Sequence, residues 1–174
     1  MKTKTLIFAF IVFFSINASA QLKFESTVDS KYKTFQLDDG SFKYVIYDKK
    51  QEIIQIFNLD NTVWRTVKIP LPKHHVLDEL KNISMHTFNT DDLVELIYSC
   101  VIYSSNSEYE NPEQDYLLVE FTLNIINEKG EHLLKVPNSN EMEIIDTNEG
   151  KKLIIYQHIG TGFKAKDKTL IYSF

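Results

Sequence analysis

Cysteine is almost missing from this 174-residue chain: Cys100 is the only one. A single thiol forms no intramolecular bridge, so no disulfide holds the fold even in an oxidising compartment. Cys100 lies in the apolar run Tyr98-Ser99-Cys100-Val101-Ile102, where it is expected as a buried small hydrophobe. Long apolar runs are scarce too. The run Leu6 to Phe14 is far shorter than the ~20 residues a membrane helix needs, and nothing after it is longer. Positive charge is in deficit, 19 Lys and Arg against 24 Asp and Glu, for a formal net charge of −5. That balance argues against nucleic acid or anionic membrane surfaces as partners. No Gly-rich phosphate loop and no Ser nucleophile elbow occurs.

What is present begins with a leader. Lys2 and Lys4 precede the apolar run, and Ala18-Ser19-Ala20 supplies small residues before Gln21. This is the pattern of a signal peptide spanning residues 1–20, with cleavage before Gln21. The mature chain then starts with Gln rather than a lipid-accepting Cys. It is expected in the periplasm or outside the cell. Removing Lys2 and Lys4 takes the charge from −5 to −7. Residues 21–174 are of ordinary single-domain length.

The mature chain reads as strands. Nine Tyr and twelve Phe accompany many β-branched residues, while Gly and Pro fall between the runs. Strands are expected at Phe42 to Tyr47, Glu52 to Phe57, Val63 to Ile69, Leu93 to Tyr103, Tyr116 to Ile126, His132 to Val136, Leu153 to His158 and Lys168 to Phe174. In Leu118 to Ile126 the alternation puts Val119, Phe121, Leu123 and Ile125 on one face, and Glu120, Thr122 and Asn124 on the other. Turns are expected at Asp38-Asp39-Gly40, Leu59-Asp60-Asn61, Glu128-Lys129-Gly130 and Asn148-Glu149-Gly150. His74 to Asn82 is expected to be helical, since Val76, Leu77 and Leu80 share a helical face. Ser104 to Asp115 reads as a long exposed hairpin loop.

An internal repeat underlies these runs, with units near 31–72, 83–138 and 141–174. Phe35-Gln36-Leu37-Asp38-Asp39, Phe88-Asn89-Thr90-Asp91-Asp92 and Ile145-Asp146-Thr147-Asn148-Glu149 each lead into an apolar strand. Two units end alike, in Val67-Lys68-Ile69-Pro70 and Leu134-Lys135-Val136-Pro137; the third stops at Phe174. A unit of roughly 40–50 residues is the size of a propeller blade. The expected fold is all-β: antiparallel blade-like repeats in a partial β-propeller-like stack, with a β-sandwich as the alternative. Leu22 to Ser26 is placed to pair with the unfinished third unit and cover its edge.

The segments IFNLDNTVWRTVKIPLP, HTFNTDDLVELIY and NIINEKGEHLLKVPN resemble a recurring β-repeat module of secreted Bacteroidetes proteins. The leader, ending Ala-Ser-Ala-Gln, is similar to signal peptides of that group. The resemblance covers about Lys31 to Phe174 and implies an exported module without assigned catalytic residues. That family usually carries a C-terminal sorting domain for type IX secretion. This sequence ends at Tyr172-Ser173-Phe174 without one, which leaves periplasmic retention or another exit route open.

Candidate site residues are few. Asp146, Asn148 and Glu149 offer oxygen ligands at calcium-like spacing, but position twelve of that loop is Gln157 instead of a bidentate Glu. Tyr103, Tyr109 and Tyr116 flank the polar loop, and Trp64 with Arg65 sits beside a turn; these residue types are enriched at binding hot spots. Core packing competes for Trp64. His74 and His75 are expected in a surface loop, and His86 and His132 in strands. No cofactor apart from calcium is implied. Three functional classes follow: a non-catalytic exported module binding protein or glycan, a small outer-membrane barrel, and a secreted hydrolase with dispersed residues.

Overall fold

The computed structural model of the chain describes residues 32–105, 117–160 and 165–174, together with Phe24 and Thr27. The leader, Leu22 to Ser26 apart from Phe24, Tyr109, Tyr116 and most of the expected 104–115 loop lie outside the described residues.

Alternating apolar residues broken by turn formers produce eleven strands among the described residues, and no helix. They form three antiparallel meanders. The first sheet is β1 (Lys33–Gln36), β2 (Phe42–Asp48), β3 (Ile53–Asn58) and β4 (Val63–Lys68), in that order. The second is β5 (Val76–Ser84), β6 (Glu95–Ser105), β7 (Leu117–Asn127) and β8 (His132–Pro137). The third holds β9 (Glu141–Thr147), β10 (Gly150–Ile159) and β11 (Lys166–Ser173), with β10 in the middle. Among the described residues each sheet keeps two edges, and the three sheets do not join into one closed barrel. The layering fits the sandwich alternative.

The second sheet is the middle layer. One face packs Leu80, Ile83, Leu96, Tyr98 and Cys100 against Val45, Ile54, Ile56 and Val67 of the first sheet. The other packs Ile97, Leu123, Ile125 and Val136 against Leu153 and Ile155 of the third. Val94 to Val101 and Thr122 to Asn127 are therefore buried continuously. The alternation expected for β7 holds, but two residues of its polar face, Thr122 and Asn124, are buried in a second interior while Glu120 is exposed.

The first two sheets share one construction. Both third-to-fourth turns close with the amide of Asn58 or Asn127 donating four residues ahead, to Thr62 or Glu131. Asn61 and Gly130 occupy the same turn position with φ of 68° and 81°, a region open to Asn and Gly at low cost. A one-residue bulge follows each, at Ile56/Phe57 and at Ile125/Ile126. A carbonyl at or just past the end of each fourth strand also receives a side chain from the next sheet. Tyr98 donates its hydroxyl to Pro70 at 3.3 Å, and Gln157 its amide to Pro137 at 2.9 Å.

The helix expected at 74–82 is β5 instead. Two bulges insert Asp78 and Lys81 beyond the count of the partner strand. Leu77, Leu80 and Ile83 thereby face Cys100, Tyr98 and Leu96 in turn. Spacing of three on one strand meets spacing of two on its neighbour, and bulges of this kind mimic helical periodicity. His86 is also displaced from expectation, lying in the bend after β5 and outside any strand.

Candidate binding surfaces

Trp64 is partly buried and packs on the core between the first two sheets. Its ring lies 4.8 Å from Lys43 Nζ and 4.8 Å from the Arg65 guanidinium. Arg65 reaches across to Glu128 of the second sheet, Nε to Oε2 3.3 Å, and donates to the Trp64 carbonyl. The pair thus joins two layers. Tyr103 is 57% exposed and sits opposite Val119 where the β6–β7 hairpin leaves the sheet. Tyr109 and Tyr116, its expected companions, fall outside the described residues.

The calcium candidates do not converge. Asp146, Asn148 and Glu149 are all exposed. Thr147 closes their turn through its hydroxyl to the Gly150 carbonyl at 2.6 Å, and Glu149 approaches Lys152 at 3.8 Å. Gln157 is turned inward to Pro137. Among the described residues, no three His, Cys, Asp or Glu side chains are grouped to hold a metal ion.

The chemistry that is buried is architectural. The fully buried Glu95 carboxylate accepts from the Ser84 hydroxyl and from the backbone amides of Thr87, Phe88 and Asn89 at 2.7–3.0 Å. It shapes the loop between β5 and β6. Asp38, in the β1–β2 turn, caps the same loop from outside through the Thr87 hydroxyl at 3.2 Å. Ser99 donates to Asp78 at 2.6 Å. Cys100 is fully buried, and burial first of all pushes its thiol up, away from the reactive thiolate.

A cleft between the first and second sheets was not legible in the sequence. It has a volume of about 400 Å³. Val45 and Ile54 form its floor on one side, Leu77 and Leu80 on the other. Tyr47 and Leu77 also line a neighbouring recess of about 230 Å³. Burial, followed by Glu52 and Asp48, raises the Tyr47 phenol and keeps it a neutral hydrogen-bond donor. Tyr32 at the mouth begins an aromatic ladder on the outer face of the first sheet: Tyr32 to Tyr44 is 4.8 Å, and Tyr44 to Phe57 is 4.9 Å with rings 5° from parallel. The only sequence trace of this cleft was the Leu77-Asp78-Glu79-Leu80 stretch, whose bulged spacing disguised the strand.

The rim of the cleft is charged. Lys33 Nζ bridges to Glu79 at 2.7 Å and to the Leu80 carbonyl at 2.9 Å, tying β1 to β5, and Lys81 pairs with the same carboxylate. The Lys33 hydrogen bond, then that of Lys81, holds the Glu79 carboxyl down from 4.5 to about 2. A depressed folded value stabilises the fold above the unfolded value and loses that support as pH falls from 4.5 towards about 2. Because the pair is half exposed, solvent screening limits the effect to under about 1 kcal/mol. Glu79→Gln is expected to flatten the acid limb of urea-midpoint against pH in that window. An unchanged limb rules out this linkage.

No family model, no curated protein and no solved structure matches the chain.

Proposed function

We propose that this chain is an exported, non-catalytic β-module that binds its partner in the cleft between the first and second sheets. The observation that carries this is the cleft: about 400 Å³ of open space with an apolar floor and a rim bearing Lys33, Glu79 and Tyr47. A concave apolar surface with a few placed polar groups is the usual form of a binding site. The rim pairs charge with aromatic rings, which suits a polypeptide side chain. A glycan is the other partner class, and Tyr32 is the ring available to it. The leader and the resemblance to a secreted Bacteroidetes module support export. Glu95, Ser99 and Cys100 are each engaged in building the fold, which supports a binding role over a catalytic one.

Random-peptide display and a glycan array, run in parallel on residues 21–174, test the proposal. A binder is expected whose affinity falls at least about tenfold on Tyr47→Ala, as loss of a buried aromatic anchor does. Binders indifferent to Tyr47→Ala and Leu77→Ser move the site elsewhere and sink the cleft assignment. Turnover of any substrate by the pure protein sinks the non-catalytic role.

A further inference from the structure

The recess of about 230 Å³ lies between the turn that joins β2 to β3 and the connection from β4 to β5. Sites for drug-sized ligands run to ~300–1,000 Å³, so the occupant here is smaller. The walls are stiff. The Ile69 amide donates to the Glu52 carbonyl at 2.9 Å and ties the turn to the connection. Pro70 and Pro72 fix the backbone of the connection, and the His75 amide closes it onto the Pro72 carbonyl at 3.0 Å.

Backbone strain gathers at this recess. Among the described residues, four other than glycine have positive φ. Asn61 and Asn138 are of the type that tolerates it best. The other two are Glu52 at 55°, which lines the recess, and His74 at 67°, which precedes the lining His75. Strain of this kind collects at ligand clamps. Opposite charges also line the recess unpaired. Lys49 and Glu52 stand three residues apart, yet no ion pair among the described residues engages either. The polar groups divide by role. The Tyr47 hydroxyl and the Lys49 ammonium are donors. His75 Nδ1 lies 3.1 Å from the Lys73 carbonyl, which only accepts, so that nitrogen carries the proton. Nε2 is then an acceptor, as the Glu52 carboxylate is. Leu71, Val76 and Leu77 supply the apolar part.

We infer that this recess binds a free α-amino acid with a branched aliphatic side chain. The zwitterion matches the charges of the site. Its carboxylate takes Lys49 and Tyr47, and its ammonium takes Glu52 and His75, through charge-assisted hydrogen bonds. The side chain rests on Leu71, Val76 and Leu77. A plain anion, a plain cation or either terminus of a peptide leaves one of the two charged side chains without a partner. Lys49, Glu52 and His75 do not line the cleft between the first and second sheets, so this inference does not rest on the binding role proposed there.

Calorimetric titration of the purified protein with leucine, isoleucine and valine tests it. At least one is expected to bind with a Kd below about 1 mM. Its methyl ester and its analogue without the amine are each expected to bind at least about tenfold more weakly, because each leaves polar groups of the site unpaired. Lys49→Met is expected to weaken the amino acid by a similar factor and leave the ester unchanged. Glu52→Gln weakens the amino acid and leaves the deaminated analogue unchanged. Glu52→Gly suits the left-handed backbone, so it loses binding with a urea midpoint no lower than the parent's, which separates loss of the site from loss of the fold. Three results overturn the inference: no saturable binding of any of the three amino acids, binding that both Lys49→Met and Glu52→Gln retain, and equal binding by either singly charged analogue. A cleft that finds no partner leaves it standing.

Discussion

Replacing Glu95 by leucine is expected to destabilise the protein by about 3–5 kcal/mol, since it strips a buried charged acceptor from several donors at once. Three backbone amides and the Ser84 hydroxyl lose their partner together. Glutamine preserves the shape and one carbonyl acceptor but turns an NH2 towards backbone donors, so Glu95→Gln is expected to cost about half as much. The urea midpoint measures both. The cause is separable from general loss of packing, because the amides of Thr87, Phe88 and Asn89 are expected to lose exchange protection ahead of the rest of the middle sheet. A Leu variant within about 1 kcal/mol of the parent, with those amides unchanged, would contradict the role.

Ile97 and Tyr98 are neighbours in sequence and belong to different cores. Ile97 packs towards the third sheet and Tyr98 towards the first. Truncation of either to alanine is expected to cost about 2–5 kcal/mol, by lost transfer energy and by the cavity left. The more telling measurement is a cycle of Ile97→Val and Tyr98→Phe, the second of which removes only the hydroxyl bonded to Pro70. Side chains on opposite faces of one strand share no partner, so the two costs are expected to add within about 0.5 kcal/mol. Unfolding remains a single transition in every variant, because β6 and β7 serve both cores. A coupling well above that value means that strain passes through the sheet. Two separate transitions mean that the outer layers melt independently.

Strand content was largely legible in the sequence. Runs such as Phe42 to Tyr47 and His132 to Val136 became β2 and β8 almost unaltered, because their alternation and bounding turn residues agree. The repeat implies a strand before each acidic turn, but β1 and β9 have no delimiting apolar run of their own for a physical reason: each is an edge strand with little to bury, Phe35 alone in β1 and only the half-buried Met142 and Ile144 in β9. β5 was mistaken because bulges replace the two-residue period with three. The cleft was illegible because it exists only where β5 and β2 approach from distant parts of the chain. Glu95 could not be singled out either. A carboxylate beside an apolar run looks like an ordinary strand end until the loop that wraps it is known.

The middle sheet carries one further consequence. In most strand pairs a wet face guards alignment, because sliding by one residue drives apolar side chains into solvent. β6 and β7 have no wet face over their central stretch, and a slip there exchanges one interior for another. Their alignment is kept from within. Between β6 and β7 the observed pairing sets the Asn124 amide beside Cys100 at 3.5 Å, while Glu95 under its four donors and Ser99 against Asp78 fix β6 against β5. A slip of β6 against β5 strands the Glu95 carboxylate in hydrocarbon, and a slip against β7 takes Asn124 from Cys100; those penalties discriminate between pairings that burial alone treats as equivalent. The few polar atoms at the centre act as a key cut into β6 and its two neighbours, and folding errors in this chain are to be sought where that key is filed away.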